Sequence, residues 1–335
     1  MKAITVRKPG GYDNLIMVDM PDPGEPGPGE IRVRLHATTL NRHDLNVLQG
    51  KSAADNGRIP MADGAGLVEA VGAGVVDFAV GDSVVSCFFP TWEDGVQVAI
   101  GFSTTPGDGV DGFAREIVVA PATGFTRAPK GWSHAEAATI TTASLTAWRA
   151  LAVEGKVKAG DTVLVMGSGG VSVLALQYAK AMGATVIATS SSDAKLERYR
   201  LLGASQTINY VETPEWGPKV RELTGGKGAD HVVEVGGAGT LPQAIQAVAV
   251  GGHITMIGVL TGPAGNVPTA ALMVRQARLQ GVIVGSCRMQ RDLVAWLDTT
   301  DIRPIIDRSF PLDQLGQAAA YEESGAHFGK IAVEW

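Results

Sequence analysis

Val163-Leu164-Val165-Met166 runs directly into Gly167-Ser168-Gly169-Gly170-Val171-Ser172, and an amphipathic helical pattern follows. Between a strand and a helix, such a glycine run is a dinucleotide fingerprint. Gly167 permits the tight turn, and Gly169 lets a pyrophosphate approach the backbone. Ser168, Gly170 and Val171 complete the turn at a helix start, whose free N–H groups and positive dipole end suit phosphates. Ser172 replaces the third glycine, at a position that governs helix–strand packing and accepts a small residue. The six residues alone would also fit a turn without ligand; the full strand–helix–strand unit around them favours a nucleotide site.

NAD-specific sites usually carry an acid at the end of the second strand, about 20 residues on, for the ribose 2′-hydroxyl. Here that strand ends Thr189-Ser190-Ser191-Ser192, with no acid. The hydroxyls of Ser190 and Ser191 with Lys195 suit a 2′-phosphate instead, and Tyr210 could flank the same adenosine. NADPH is therefore expected. Two alternatives stay open: the serines only start a helix beside a solvated Lys195, or Asp193 takes a ribose hydroxyl and favours NAD.

The elements that position these groups change character along the chain. The first 126 residues read as β-rich: Ile31–Ala37 alternates apolar and polar, and strands are expected at Gly66–Val71, Ser83–Phe88 and Ala114–Val119. Thr91–Asp111 reads as an excursion loop. Ser133-His134-Ala135-Glu136 is a capping box that opens a helix to about Ala152. Strands at 162–166, 185–189, 206–209, 231–235 and 253–259 then alternate with helices at 171–182, 193–202 and 241–248. That is a doubly wound parallel sheet. Gly281–Gly285 would be its apolar edge strand, and Gly329–Glu334 a closing strand. The domains are drawn as 1–126 with 287–335, and 127–286.

The 335 residues are 45% apolar and 19% charged, an ordinary globular mixture with room for two cores. A net charge of −6 and the lack of a Lys/Arg block argue against nucleic acid. The start lacks the apolar core of a signal peptide, and no segment reaches the roughly 20 apolar residues of a membrane span. A cytoplasmic protein without membrane contact is expected. Cys87 and Cys287, the two cysteines, have no neighbour at metal-ligand spacing and read as small buried residues.

Asn41-Arg42-His43-Asp44-Leu45, Asp63–Gly72, Val80-Gly81-Asp82-Ser83-Val84, Gly169–Ser172 and His327-Phe328-Gly329-Lys330-Ile331 occur here in a specific order and spacing. In them the chain resembles, over nearly its whole length, the medium-chain dehydrogenase/reductase superfamily. The resemblance is to its zinc-free quinone-oxidoreductase-like branch, often labelled zinc-type alcohol dehydrogenase-like. It implies a β-rich GroES-like catalytic domain plus a Rossmann domain. Zinc-dependent relatives place a Cys at Asn41, a His-Glu pair at Ala62-Asp63 and a third ligand near Thr142. Asn, Ala and Thr cannot supply the three or so ligands of a catalytic zinc, and the four-cysteine structural lobe is absent, so no zinc is expected.

Without a Lewis acid, oxidation of simple alcohols loses its activator. Reduction of a quinone or an α,β-unsaturated carbonyl needs only placed hydrogen-bond donors for the developing oxyanion. By resemblance Asn41 and Thr142 are the catalytic candidates, facing the nicotinamide and its ribose, with backbone around Val259, Leu260 and Ser286 flanking that half of the cofactor. The proton could come from water, from His43 or from a hydroxyl relay. A metal-free alcohol dehydrogenase or carbonyl reductase is the alternative enzyme, and a non-catalytic NADPH-binding sensor the alternative of another class. Asn41 could simply cap a turn, His43 could be a solvated histidine, and Trp92 could wall a pocket or pack its loop down. The apolar edge strand predicts a homodimer with sheets joined across a two-fold, or a monomer with that edge covered.

Overall fold

A computed structural model describes residues 1–52, 54–96 and 101–335 of the chain. It divides into two compact units, Met1–Leu145 with Val284–Trp335, and Thr146–Ile283.

The first unit opens with a hairpin of β1 (Lys2–Val6) and β2 (Leu15–Asp19). β3 (Glu30–Thr39) follows, and its alternation puts Ile31, Val33 and Leu35 in the core, as the pattern predicts. α1 (Arg42–Leu48) starts directly after it. β4 (Ala65–Val71), β5 (Ser83–Ser86), β6 (Ile117–Pro121) and β7 (Phe125–Arg127) continue the sheet. Gly66 is required between β3 and β4, because a Cβ there would lie 1.9 Å from the Arg34 carbonyl oxygen. Residues 97–100 of the expected excursion loop lie outside the described residues.

The helix expected from Ser133 begins as drawn, with the Glu136 N–H donating to Ser133 Oγ and the Ser133 N–H to the Glu136 carboxylate. It is interrupted: α2 (His134–Ala138), a wide π turn Ile140–Ser144, α3 (Leu145–Trp148) and a second π turn Arg149–Gly155. The boundary between the units falls inside this segment, whereas the change of sequence character places it at residue 127.

The second unit holds β8 (Thr162–Met166), α4 (Gly170–Ala181), β9 (Thr185–Ser190), α5 (Asp193–Leu201), β10 (Gln206–Asn209), α6 (Trp216–Leu223) and β11 (Ala229–Glu234). α7 (Leu241–Ala247), β12 (Val248–Met256), α8 (Thr269–Arg275) and β13 (Arg278–Gly281) complete it. The strands form one parallel sheet in the order β10-β9-β8-β11-β12-β13. Strand order reverses direction between β8 and β11, the switch point at which such sheets bind ligands beyond their carboxyl ends. Leu164, Ile187, Val232 and Ile254 pack against Leu241, Ala244 and Ile245 as its core.

The edge strand differs from the expectation. The strand is Arg278–Gly281, not Gly281–Gly285. The Val282 N–H still donates to the Met256 carbonyl at 2.9 Å, but Val284 adopts a φ of 45°, a left-handed conformation in which a β-branched residue cannot continue a strand. The apolar run is apolar because Val282 and Val284 are buried.

The chain then returns to the first unit through α9 (Cys287–Leu297), β14 (Ile306–Pro311), α10 (Leu315–Glu323) and β15 (Lys330–Glu334). Its sheet runs β14-β15-β3-β4-β5-β7, with β6 also on β3. Among the described residues no helix is long and apolar enough to cross a membrane.

Candidate active site

In the first unit a buried polar pit forms where β3 passes into α1. Asn41 ends that turn, and its backbone N–H donates to Asp44 Oδ2 at 2.9 Å. Its side-chain amide donates to Asp63 Oδ2 at 2.9 Å, to Asp44 Oδ2 at 3.1 Å and to the Thr39 carbonyl at 3.3 Å. Thr142 reaches the same carboxylate from the π turn, donating to Asp63 Oδ1 at 2.6 Å, and Thr39 donates to Oδ2 at 2.5 Å. π turns recur at functional sites because they re-aim side chains; here the turn also sets Thr141 on the Ser86 carbonyl.

The pit is closed by a cation from the last strand. Lys330 Nζ donates to Asn41 Oδ1 at 2.6 Å and to the Leu40 carbonyl at 2.5 Å, and lies 3.5 Å from Asp63 Oδ2. Lys330 is 3% exposed and Asp63 0%, so the pair is held in a low-dielectric interior. Burial pushes the Asp44 carboxyl up from its ordinary value, and the neighbouring Asp63 adds to the effect. Burial also pushes Glu322 of α10 up to about 7, with Lys330 opposing and Asp44 adding.

This geometry brings Asn41 and Thr142 together, as the resemblance implies, but spends their hydrogens. The amide of Asn41 and the hydroxyl of Thr142 both point at carboxylates, so neither offers its donor to a substrate oxyanion. His43, one step beyond Arg42, is not a solvated histidine. Its ring packs against Phe88 and Phe102 at centroid distances of 5.5 and 4.5 Å, and Nε2 lies 3.4 Å from Asp108 Oδ2. Asp108 was not legible as a partner, since only the fold brings residues 43 and 108 together. Trp92 packs its loop down: it is 7% exposed and its indole donates to the Gly95 carbonyl.

In the second unit the carboxyl ends of β8, β9, β10, β11 and β12 gather the nucleotide candidates. Gly167 has a φ of 72° and accepts at its carbonyl from the Tyr199 hydroxyl at 2.7 Å, so α5 pins the turn. Burial holds the Tyr199 phenol far above its ordinary value. The Ser172 hydroxyl donates to the Met166 carbonyl at 2.5 Å, which explains how a serine serves at the third fingerprint position. Gly169 caps α4, and the N–H groups of the helix start around Gly170 and Val171 have no intrahelical acceptor. Ser168 lies half-buried in the same turn.

At the adenosine end, Ser191 is exposed and Lys195 half-buried, while Tyr210, 40% exposed, donates its N–H to the Ser190 carbonyl. One assignment needs correction. Ser190 is 2% exposed and its hydroxyl accepts from the Ser192 N–H, so it closes the turn and does not face a phosphate. Ser286 belongs to the first unit, is fully buried, and its hydroxyl caps α9 by accepting from the Met289 N–H. Asp193 is engaged by the Asn209 amide at 2.9 Å. Val259 and Leu260 are exposed on the turn after β12, which the Thr261 N–H ties to the Gly236 carbonyl at 2.7 Å. Sequence reasoning missed Glu234, fully buried at the end of β11, whose Oε1 accepts from the N–H groups of Gly236 and Gly237 and from Thr240. Burial raises its carboxyl from its ordinary value. Its signal would have been an acid ending a buried strand before two glycines.

Both thiols are buried and free, Cys287 donating weakly to the Phe89 carbonyl. Among the described residues no three His, Cys, Asp or Glu side chains converge as a metal site.

Comparison with known proteins follows these two units. Residues 27–130 match the alcohol dehydrogenase GroES-like domain family, and residues 170–299 match the zinc-binding dehydrogenase family. A zinc-type alcohol dehydrogenase-like protein of Schizosaccharomyces pombe is 42% identical over 333 residues, covering 97% of this chain and 96% of that protein. A 2-haloacrylate reductase of a Burkholderia species is 32% identical over 269 residues, 78% of this chain and 74% of the reductase. The crystal structure of an NAD-dependent alcohol dehydrogenase superposes with a TM-score of 0.90 at 37% identity, over 100% of both chains.

Proposed function

Since the chain belongs to the medium-chain dehydrogenase/reductase superfamily and is thus an oxidoreductase, we propose that it is a zinc-independent, NADPH-dependent reductase of quinones or α,β-unsaturated carbonyls. One observation carries the zinc-free part. At the positions where zinc-dependent relatives hold their metal, this chain sets Asn41, Ala62 and Thr142, and the buried ammonium of Lys330 lies on Asn41 and beside Asp63. A divalent ion there would meet an amide and a hydroxyl already bonded to a carboxylate, with no thiolate or imidazole to bind it. The residues do not fit the metal.

They do fit a nicotinamide dinucleotide. Gly167–Val171 would hold the pyrophosphate, Ser191 and Lys195 the 2′-phosphate, Tyr210 the adenosine, and the backbone at Val259 and Leu260 the nicotinamide half. When bound, that cofactor supplies a hydride. The exposed Ser191, the lack of an acid at the end of β9 and the tie between Asp193 and Asn209 support NADPH over NADH. The 2-haloacrylate reductase is a similar protein named for reduction of an activated alkene, which supports the substrate class.

The test is a fluorescence titration with NADPH and NADH, before and after chelation, followed by 1,4-benzoquinone, an enone and a simple carbonyl. Tighter NADPH binding and chelator-resistant reduction of either of the first two acceptors supports the proposal. Equal binding of the cofactors overturns the 2′-phosphate assignment. Turnover of the carbonyl alone favours a carbonyl reductase, and binding without turnover favours a sensor. The outer edge of β13 and the exposed Met273, Val274 and Ile283 support a homodimer through the second unit, read by sedimentation equilibrium.

A further inference from the structure

We propose that His43, ordered by Asp108, is the acid that completes the reduction. The inference rests on the reductase function proposed above and names the proton donor that it leaves open. The other polar candidates in the first unit are spent: Asn41 and Thr142 both direct their hydrogens at Asp63.

His43 stands in the first turn of α1, two residues past Asn41. Its side chain is 19% exposed and that of Asp108 11%, with Nε2 3.4 Å from Oδ2. Nε2 is buried and has no hydrogen-bond acceptor among the described residues, and the Asp108 carboxylate lies beside it at ion-pair distance. The other ring nitrogen takes no hydrogen bond among the described residues. A carboxylate beside one imidazole nitrogen favours the charged ring, and the second nitrogen is left to act as an acid. The charged group beside the ring is Asp108, and Asp44 of α1 interacts with it electrostatically.

The surroundings fit the same role. Phe88 and Phe102 pack against His43 and each other, and Phe89 packs on both, stacking on Phe102 with ring planes 8° apart. Such a wall strengthens an ion pair by excluding water and suits a flat conjugated substrate. The loop that carries Asp108 is pressed into place. A Cβ on Gly107 would lie 2.6 Å from the Met61 nitrogen, and one on Gly109 would lie 2.2 Å from the Ser103 carbonyl carbon. Met61 is itself fully buried with a φ of 78°, a conformation kept only where the surroundings impose it.

The step balances. The substrate takes a hydride, with its two electrons, at the electron-poor carbon, and the C=C pair moves onto the conjugated carbonyl as an enolate. The imidazolium N–H bond breaks with its pair left on nitrogen, and the proton forms the new C–H or O–H bond. The neutral ring then regains a proton from water. A quinone goes to the hydroquinone by the same count.

The full chain and its His43→Gln, His43→Ala and Asp108→Asn variants are tested with NADPH and 2-methylcyclohex-2-enone. His43→Gln is expected to lower kcat by about 10²–10⁴-fold while NADPH affinity, read by fluorescence, stays within about twofold. Free imidazole should restore part of the kcat of His43→Ala. The new stereocentre, formed in one configuration by the wild type, should become a mixture in His43→Gln. Asp108→Asn should lose about tenfold in kcat and keep the configuration. A His43→Gln variant within about threefold of wild type, with unchanged configuration, overturns the proposal. So does a loss of kcat that imidazole does not rescue and that comes with weakened NADPH binding. If the wild type reduces only a carbonyl, the alkene assignment fails while imidazole rescue still judges His43, because an alkoxide needs the same proton. A wild type inert toward quinone, enone and carbonyl overturns both.

Discussion

The two units prepare for charge in opposite ways. In the first, side chains settle charge against charge: Lys330, Asp63, Asp44, Asn41 and Thr142 satisfy one another inside a dry pit. In the second, the backbone does the work, through the uncovered N–H groups after Gly169 and a turn pinned by the Tyr199 hydroxyl. A pit of side chains that depend on one another should be costly to alter at any one member. A glycine turn should tolerate change wherever backbone geometry survives.

The largest effect should come from Lys330→Met, which strands Asp63 and Asp44 in the interior. A loss of about 3–5 kcal/mol in unfolding free energy is expected, read from urea midpoints. A loss below about 1 kcal/mol would place the pit among surface ion pairs and erase the contrast.

Next comes pH, where the two units should respond with opposite sign. His253, buried and accepting from Arg278 Nε at 2.9 Å, is pushed down to about 4, first by burial and then by Arg278. Between pH 6.5 and about 4 the unfolded chain binds the proton that the folded ring refuses, so stability falls as pH falls through this window. The loss is on the order of 2–3 kcal/mol, and His253→Gln should flatten it in urea titrations at stepped pH. Glu322, raised to about 7, contributes stability below pH 4.5 that is lost as pH rises through 7. Glu322→Gln should remove that decline from the same titrations.

Lys195→Ala should lower the preference for NADPH over NADH by about tenfold, measured by the ratio of dissociation constants, with NADH binding little changed. The smallest effect should be Gly167→Ala. Its φ of 72° strains any side chain, yet the nearest atom to a new Cβ is Val235 Cγ2 at 3.9 Å. A cost of about 1 kcal/mol in stability follows from the left-handed backbone alone, measurable by thermal unfolding. A cost equal to that of Lys330→Met would mean that the turn is no more forgiving than the pit.

The same contrast decides what could be read before the fold was known. The glycine turn is local, so the spacing of Gly167, Gly169 and Ser172 and the β8–α4–β9 unit around it were legible. So were β3, from the alternation of Ile31, Val33 and Leu35, and the capping box at Ser133. The pit was not. Asn41 and Lys330 stand 289 positions apart, and nothing local in either says that one will accept from the other. Resemblance picked out Asn41 and Thr142, but not that their hydrogens are spent. α6 and α8 escaped because each is short and sits among breakers, with Pro218 inside the first and Pro268 before the second. The run Val282-Ile283-Val284 misled for a physical reason: β-branched residues signal burial, and burial alone does not make a strand.

Lys330 lies on the last strand, and this sets an order of assembly. On a ribosome the second unit, unbroken from Thr146 to Ile283, emerges whole and can fold at once. Asp44 and Asp63 are made early but must wait for a counter-ion encoded more than 200 residues later. Until β15 arrives, the first unit carries two carboxylates that its interior cannot accept, so it stays open to solvent. The pit is thus the last part of the first unit to become dry.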